Sequence, residues 1–309
     1  MNTNHPHTDS QVPGNGNQLH EPIMVTEVIT HLKLKPDAVI IDGTVGLGGH
    51  AEALLEAAPQ GHLLGLDRDK ASLALAQERL AKYGNRVTLA HSNFADMQAA
   101  ASRAGKAFTA PDAVLLDLGI SSWQLATRGF SFAEDAPLDF RMDEQHGTKA
   151  TELLKLPERD LADLLYKYGE EYRSRRIAKA IVERMSQAPI DSTQRLAKVI
   201  EAAVGRRGRL HPATKSFQAL RIAANDELGS LERGLAAAAP MLTPQGRIAV
   251  ISFHSLEDRI VKQTFKNPDL FTVITKRVIK PSREETLRNP RSRSAKLRIA
   301  ETAQPTAKR

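Results

Sequence analysis

The stretch Ala38-Val-Ile-Ile-Asp-Gly-Thr-Val-Gly-Leu-Gly-Gly-His50 decides the fold. Its first four residues are an apolar run of strand length, and the glycines that follow let backbone turn sharply and approach a ligand closely. Residues 51–58 then read as a helix. Strand, Gly-rich loop and helix form the opening unit of a doubly wound α/β sheet, in which ligands bind outside the carboxyl ends of the strands.

Outward from this stretch the unit repeats. Residues 62–66 read as a second strand ending at Asp67, 70–82 as a helix, 87–90 as a third strand and 113–118 as a fourth. Strands alternating with helices imply a parallel sheet with right-handed crossovers. The rhythm breaks from Thr127 to Leu220, where 161–168, 174–185 and 195–204 carry helical spacing and no second βαβ pattern follows. It resumes with a helix over 228–242 and a buried strand over 247–253. Residues 271–279 and 296–300 are expected as antiparallel edge strands, and the charged, Pro-containing segment 280–293 as a mobile linker. The expected organisation is a disordered tail over 1–18, a discontinuous sheet domain over 19–126 and 221–309, and an inserted, basic helical domain over 127–220 that recognises substrate.

Composition narrows the function. The 309 residues are 41% apolar and 26% charged, ordinary for a soluble globular protein. No apolar run is long enough to cross a membrane, and the polar N-terminus lacks a signal-peptide core. The absence of cysteine removes disulfides, thiolate metal sites and thiol nucleophiles. A cytoplasmic protein with no metal site is expected, and its oligomeric state stays open between monomer and homodimer.

The net charge of +7 is unevenly spread. Arg173–Arg221 holds 12 Lys/Arg against 3 Asp/Glu, and Phe271–Arg309 holds 11 against 3, which leaves the remainder at −10. Two basic segments on an acidic body read as a footprint for phosphates. Aromatic residues, at 5%, are too few for a platform under many successive bases.

Two cofactors fit the Gly-rich loop. Gly46-x-Gly48-x-x-Ala51 matches a dinucleotide fingerprint, with Asp67 21 residues after Gly46 to accept from ribose hydroxyls. An acid ending the first strand, Asp42, is instead the pattern of S-adenosylmethionine (SAM) enzymes, where a carboxylate can meet the methionine ammonium. Against that pattern Thr44 stands where the first glycine belongs. Asp117-Leu-Gly-Ile-Ser-Ser122 follows the fourth strand, where acceptors that hold an exocyclic amine and relieve its developing charge are needed. His254 would end the 247–253 strand facing the same crevice. No Gly-x-Ser-x-Gly elbow supports a hydrolase. An NAD-dependent oxidoreductase and a non-catalytic RNA-binding assembly factor are the alternatives to a SAM enzyme.

Several strings in order carry a resemblance: His20-Glu-Pro-Ile-Met-Val25, Ile41-Asp-Gly-Thr-Val-Gly-Leu-Gly-Gly-His50, Leu115-Leu-Asp-Leu-Gly-Ile-Ser-Ser122, Pro137-Leu-Asp-Phe-Arg-Met-Asp143, Tyr168-Gly-Glu-Glu171, His211-Pro-Ala-Thr-Lys-Ser-Phe217 and Ile251-Ser-Phe-His-Ser-Leu-Glu-Asp-Arg259. From about His20 to Glu301 the chain resembles the bacterial 16S rRNA cytosine-N4 methyltransferases, the MraW-like family. The resemblance implies a Rossmann-like SAM-dependent methyltransferase sheet with an inserted helical domain. It implies methylation of the N4 amine of one cytidine in the decoding region of small-subunit rRNA, within the subunit or a late assembly intermediate. It assigns SAM to Gly48, Gly49, His50, Asp67, Phe94, Asp117 and Gln124; the strand-end positions of Asp117 and His254 make these two the candidates for the chemistry. Trp123 stands where relatives often have Pro, and the segment between Phe265 and Asn289 is shorter than in some of them.

Overall fold

A computed structural model of the chain describes residues 22–127, 129–206, 208 and 210–303; the tail expected over 1–18 lies outside the described residues. The first half alternates as expected: α1 (Val25–Leu32), β1 (Val39–Asp42), α2 (Gly49–Ala57), β2 (His62–Asp67), α3 (Lys70–Leu80), β3 (Val87–His91), α4 (Met97–Ala104) and β4 (Ala113–Asp117). Helices alone follow: α5 (Ser122–Thr127), α6 (Ala150–Leu153), α7 (Glu158–Gly169), α8 (Ser174–Gln187), α9 (Thr193–Val204) and α10 (Thr214–Asn225). The sheet is then completed by α11 (Glu227–Met241), β5 (Arg247–Ser252), α12 (Ser255–Phe265), β6 (Phe271–Val273), α13 (Arg283–Arg288) and β7 (Lys296–Thr302).

The seven strands lie in the order β3-β2-β1-β4-β5-β7-β6. β1 to β5 are parallel, and β7 runs antiparallel between β5 and β6. The inner strands are buried on both faces, so they read as continuous apolar runs. Alternate side chains divide between two cores. Ile41, Leu64, Leu66, Val114, Leu116, Ile248 and Val250 pack with Met97, Leu231, Leu235 and Val261 from α4, α11 and α12. Ile40, Leu63, Leu115, Ala249, Ile251, Leu297 and Ile299 pack with Val28, Leu32, Leu54 and Leu55 from α1 and α2.

A third core is built by the helical stretch, from Phe130 to Ala224. Its aromatic centre is Phe217, with ring centroids 5.0 Å from Phe132 and 5.1 Å from Phe140. Helix α10 runs through position 220/221, where the sequence reading divides the chain. At its end Asn225 donates from Nδ2 to the Phe140 carbonyl and accepts from the Met142 N–H, which ties the helical core to the strand-two turn through Arg68, whose Nη1 donates to the Asn225 carbonyl.

The segment 280–293 departs from its expected linker character. It contains α13, which Ser282 caps by accepting from the Glu285 N–H, and a short 3-10 turn over Pro290–Ser294. Glu285 accepts from the Met24 N–H at 2.6 Å, so the segment is fixed to the N-terminal end of the sheet domain. Charge and proline content suggested a linker, but a serine cap and a proline at the first position of a helical turn are start signals as well.

Candidate active site

A cavity of about 1250 Å³, open to solvent, lies at the carboxyl ends of the central strands. The Gly-rich loop forms its floor. Gly46 has φ +52°, a conformation that glycine adopts without strain, and its N–H donates to Asp67 Oδ2 at 2.8 Å. Asp67 Oδ1 accepts from the Asp69 N–H at 2.8 Å. Each oxygen keeps a lone pair for a further donor. Gly48, at φ +80°, is the left-handed N-cap of α2 and is packed close to Leu80; it is not among the cavity-lining residues. Gly49, His50, Asp67, Phe94, Asp117 and Gln124 are.

Thr44, the departure from the usual glycine, accepts from the Asp117 N–H through its hydroxyl at 2.6 Å. The loop is thereby pinned to the end of β4. Below it lies Asp42, fully buried, with Oδ1 accepting from the Thr44 N–H and Oδ2 without a partner. Asp117 Oδ1 is likewise buried and unpartnered, and its Oδ2 stands 3.5 Å from His50 Nδ1. His50 Nε2 lies 2.8 Å from the Ile23 carbonyl. A carbonyl only accepts, so Nε2 carries a proton and Nδ1 faces Asp117.

Burial dominates the electrostatics here. Desolvation pushes the Asp42 carboxyl up to about 7, against the pull of His50, and Asp67 up to about 6, against two backbone donors. Asp117 rises to about 7 through burial and the nearby charge of Glu257. His50 is pushed down by burial, with Asp42 opposing. Asp67 and Asp117 on the cavity wall, Asp117 with an unpartnered oxygen, and Asp42 buried beneath the loop match a ligand that brings positive charge. They do not match the pyrophosphate that the dinucleotide reading places at the start of α2.

The walls come from residues distant in sequence. Phe94 packs against Gly234 of α11, where a Cβ would stand 2.5 Å from its ring. Gln124 is a brace: Nε2 donates to Asp69 Oδ2 at 2.9 Å, and Oε1 accepts from the Ser121 N–H. Pro22, Ile23, Asn289 and Arg291 complete the lip, and sequence reading missed all four. The expectation of a catalytic His254 meets a different geometry. His254 is the N-cap of α12, its Nδ1 accepting from the Glu257 N–H while Glu257 Oε2 accepts from the His254 N–H. Its neighbours Phe253 and Glu257 line the cavity, and His254 does not. Burial works against the Glu257 charge, but His254, the Phe253 N–H and Arg221 together hold its carboxyl below the usual range. Glu227, His254 and Glu257 place three potential metal-ligand atoms within 4.8 Å of one another. Arg221 already meets that charge, with Nε and Nη2 each 2.9 Å from Glu227.

Comparison with known proteins identifies the family. The ribosomal RNA small subunit methyltransferase H of Geotalea uraniireducens is 48% identical over 307 residues, covering 91% of this chain and 98% of that one. The protein of the same name from Synechococcus elongatus is 47% identical over 292 residues, covering 93% and 95%. Among solved structures, an rRNA methylase from Streptococcus thermophilus aligns over 91% of this chain and 95% of its own, at a TM-score of 0.44 and 10% identity. The family model described as the MraW methylase family matches residues 17–303. The family model and the relatives at 47–48% identity show it: the chain belongs to the MraW methylase family and is a methyltransferase.

Proposed function

We propose that this protein transfers a methyl group from SAM to the exocyclic N4 amine of a cytidine in the decoding region of 16S rRNA, in the small ribosomal subunit or a late assembly intermediate, in the cytoplasm. The observation that carries the reading is the pair of acids lining the cavity at the strand ends, Asp67 and Asp117, with Asp42 buried beneath them, in a chain of this family. SAM, when bound, supplies an electrophilic methyl on a sulfonium. Asp67 would hold the ribose hydroxyls, Phe94 the adenine face, and the Gly49–His50 turn the methionine end, with Asp42 acting from beneath the loop. Gly48 acts through the shape of the loop, and Gln124 through the brace to Asp69.

Asp117 is the residue placed for chemistry. A cytosine amine is a poor nucleophile because its lone pair is delocalised into the ring. As it attacks, positive charge grows on N4, and a carboxylate oxygen with no other partner is the acceptor that relieves it. His50 stands behind Asp117, its Nδ1 3.5 Å from the other oxygen. His254 serves by holding Glu257 and the start of α12. The target amine is out of reach inside a stacked helix, so the nucleotide must leave the stack, and the exposed cations of the helical region would hold the surrounding phosphates. In this reading the division into a sheet domain (19–126, 221–309) and a substrate-recognising insert (127–220) is one of function.

The test is methylation of small-subunit particles with labelled SAM, followed by mass-spectrometric mapping of the product nucleoside. N4-methylcytidine at a single site is the expected result. A folded, SAM-binding protein that labels another atom, or no rRNA at all, would overturn it.

A further inference from the structure

Three of the four tyrosines of the chain fall within seven residues, at Tyr166, Tyr168 and Tyr172. Tyr168 is half-buried, but Tyr166 is 55% exposed and Tyr172 82% exposed, the highest exposure of any large apolar side chain among the described residues. The two exposed rings stand 6.0 Å apart with planes at 69°, edge to face. They lie where α7 gives way to α8, and cations surround them. Lys215 Nζ is 5.5 Å from the Tyr172 ring centre and Lys167 Nζ is 4.9 Å from that of Tyr168. Arg175 and Arg176, on the first turn of α8, are exposed.

This pair is fastened to the edge of the active-site cavity. Glu170 ends α7 in a left-handed conformation and accepts from Ser255 Oγ at 2.5 Å and from Arg259 Nη2 at 3.2 Å. Ser255 and Arg259 belong to α12, whose Glu257 lines the cavity. Lys215 donates to the Glu170 carbonyl, which holds the cation over Tyr172.

We infer that Tyr166 and Tyr172 form a stacking platform for an unpaired RNA base close to the target nucleotide. The inference rests on RNA being the substrate. A nucleotide drawn out of its stack leaves a neighbour with an open π-face, and an aromatic ring is a sequence-tolerant replacement for the missing partner. Neighbouring lysines and arginines suit the adjoining phosphates, which favours RNA over an apolar protein partner. Two rings serve one or two bases, consistent with the low aromatic content of the chain.

The experiment compares wild type with Tyr166→Ala/Tyr172→Ala and with Tyr166→Phe/Tyr172→Phe. Binding is measured to single-stranded RNA and to a duplex of the same sequence, and methylation kinetics on small-subunit particles are followed alongside. The alanine pair should weaken single-strand binding and raise KM by about tenfold, the scale of one base stack removed. It should leave duplex binding, kcat and SAM affinity within about twofold, and the salt slope unchanged, because no cation is removed. The phenylalanine pair should behave as wild type, because stacking needs the ring and not the hydroxyl. If wild type binds RNA and the alanine pair binds it equally well, or loses duplex and single-strand binding alike, the platform is wrong. A wild type that neither binds nor methylates RNA overturns the substrate reading and the platform with it.

Discussion

The cavity and the helical region handle charge in opposite ways. The charges at the strand ends of the cavity are few and acidic, and burial sets their behaviour. The helical region holds many charges, mostly basic along α8, on long exposed side chains such as Arg175, Arg176 and Arg206. Buried charges interact strongly, respond to protons and are little screened by salt; exposed ones are weak singly, additive and salt-sensitive. Under the proposed function, the first would be a proton-linked site for a small cation and the second a salt-linked surface for a polyanion.

The largest effect separates chemistry from binding inside the cavity. Asp117→Asn keeps the shape and removes the acceptor, and should lower the single-turnover rate at saturating SAM and rRNA by about 10² or more. A folded variant with a wild-type rate would leave Asp117, at most, a cofactor ligand. Next in size, Asp67→Ala should weaken SAM binding by roughly 1.5–3 kcal/mol, about 10- to 150-fold, through loss of a charged acceptor. Titration calorimetry at two salt concentrations checks both the loss and its insensitivity to salt. Unchanged affinity would remove Asp67 from the site.

The cavity acids also predict a pH dependence. Their pKa values of about 6 and 7 lie above the unfolded value of 3.8, so the folded protein holds protons that the unfolded chain has released. The stability they lend is complete below about pH 4 and is lost as pH rises through 6 to 7. A cationic ligand reverses this by favouring the ionised acids. SAM binding should therefore release protons and tighten from pH 6 to 8, approaching about tenfold per unit for each proton released. Calorimetry in buffers of different ionisation enthalpy counts those protons. S-adenosylhomocysteine, with a neutral sulfur, should show the weaker trend, and identical proton release for both would place the acids away from the sulfonium.

Smaller effects lie outside the cavity. Arg175→Ala/Arg176→Ala should flatten the dependence of log affinity for RNA on log salt by about one for each phosphate the pair no longer neutralises, with normal SAM binding. An unaltered slope would make these arginines a solvated face. Of the other basic cluster, Arg206 is exposed, while Arg207 and Arg209 lie outside the described residues. Smallest of all, His254→Ala should cost about 1 kcal/mol of stability, the value of a helix N-cap, and affect the methylation rate less than Asp117→Asn does. A larger fall in rate than in stability would restore His254 to the chemistry.

The sheet was legible because its order of burial is written locally. Each inner strand is a short apolar run, and the acids that matter stand where those runs stop, at Asp42, Asp67 and Asp117. Thr44 looked like a flaw in the loop and is the residue that joins it to β4. The lip was not legible, since Pro22, Asn289 and Arg291 reach the cavity through pairings such as Met24 with Glu285, 261 residues apart. His254 was legible only in part: a histidine at a strand end invites a chemical role, and the paired hydrogen bonds with Glu257 add the cap.

The placing of β7 between β5 and β6 bears on how the protein comes into being. Emergence from the ribosome runs from the N-terminus, and domains fold as their segments appear. Here the strand that joins the outermost strand to the rest is made after both of its neighbours, and the segment bonded to Met24 is made just before it. β5 must wait with an unpaired edge until Lys296–Thr302 arrives, and the cavity lip waits with it. A nascent chain stalled before residue 296 should therefore expose an aggregation-prone strand and bind the cofactor poorly, so that the pairing of β7 and competence to bind arrive together.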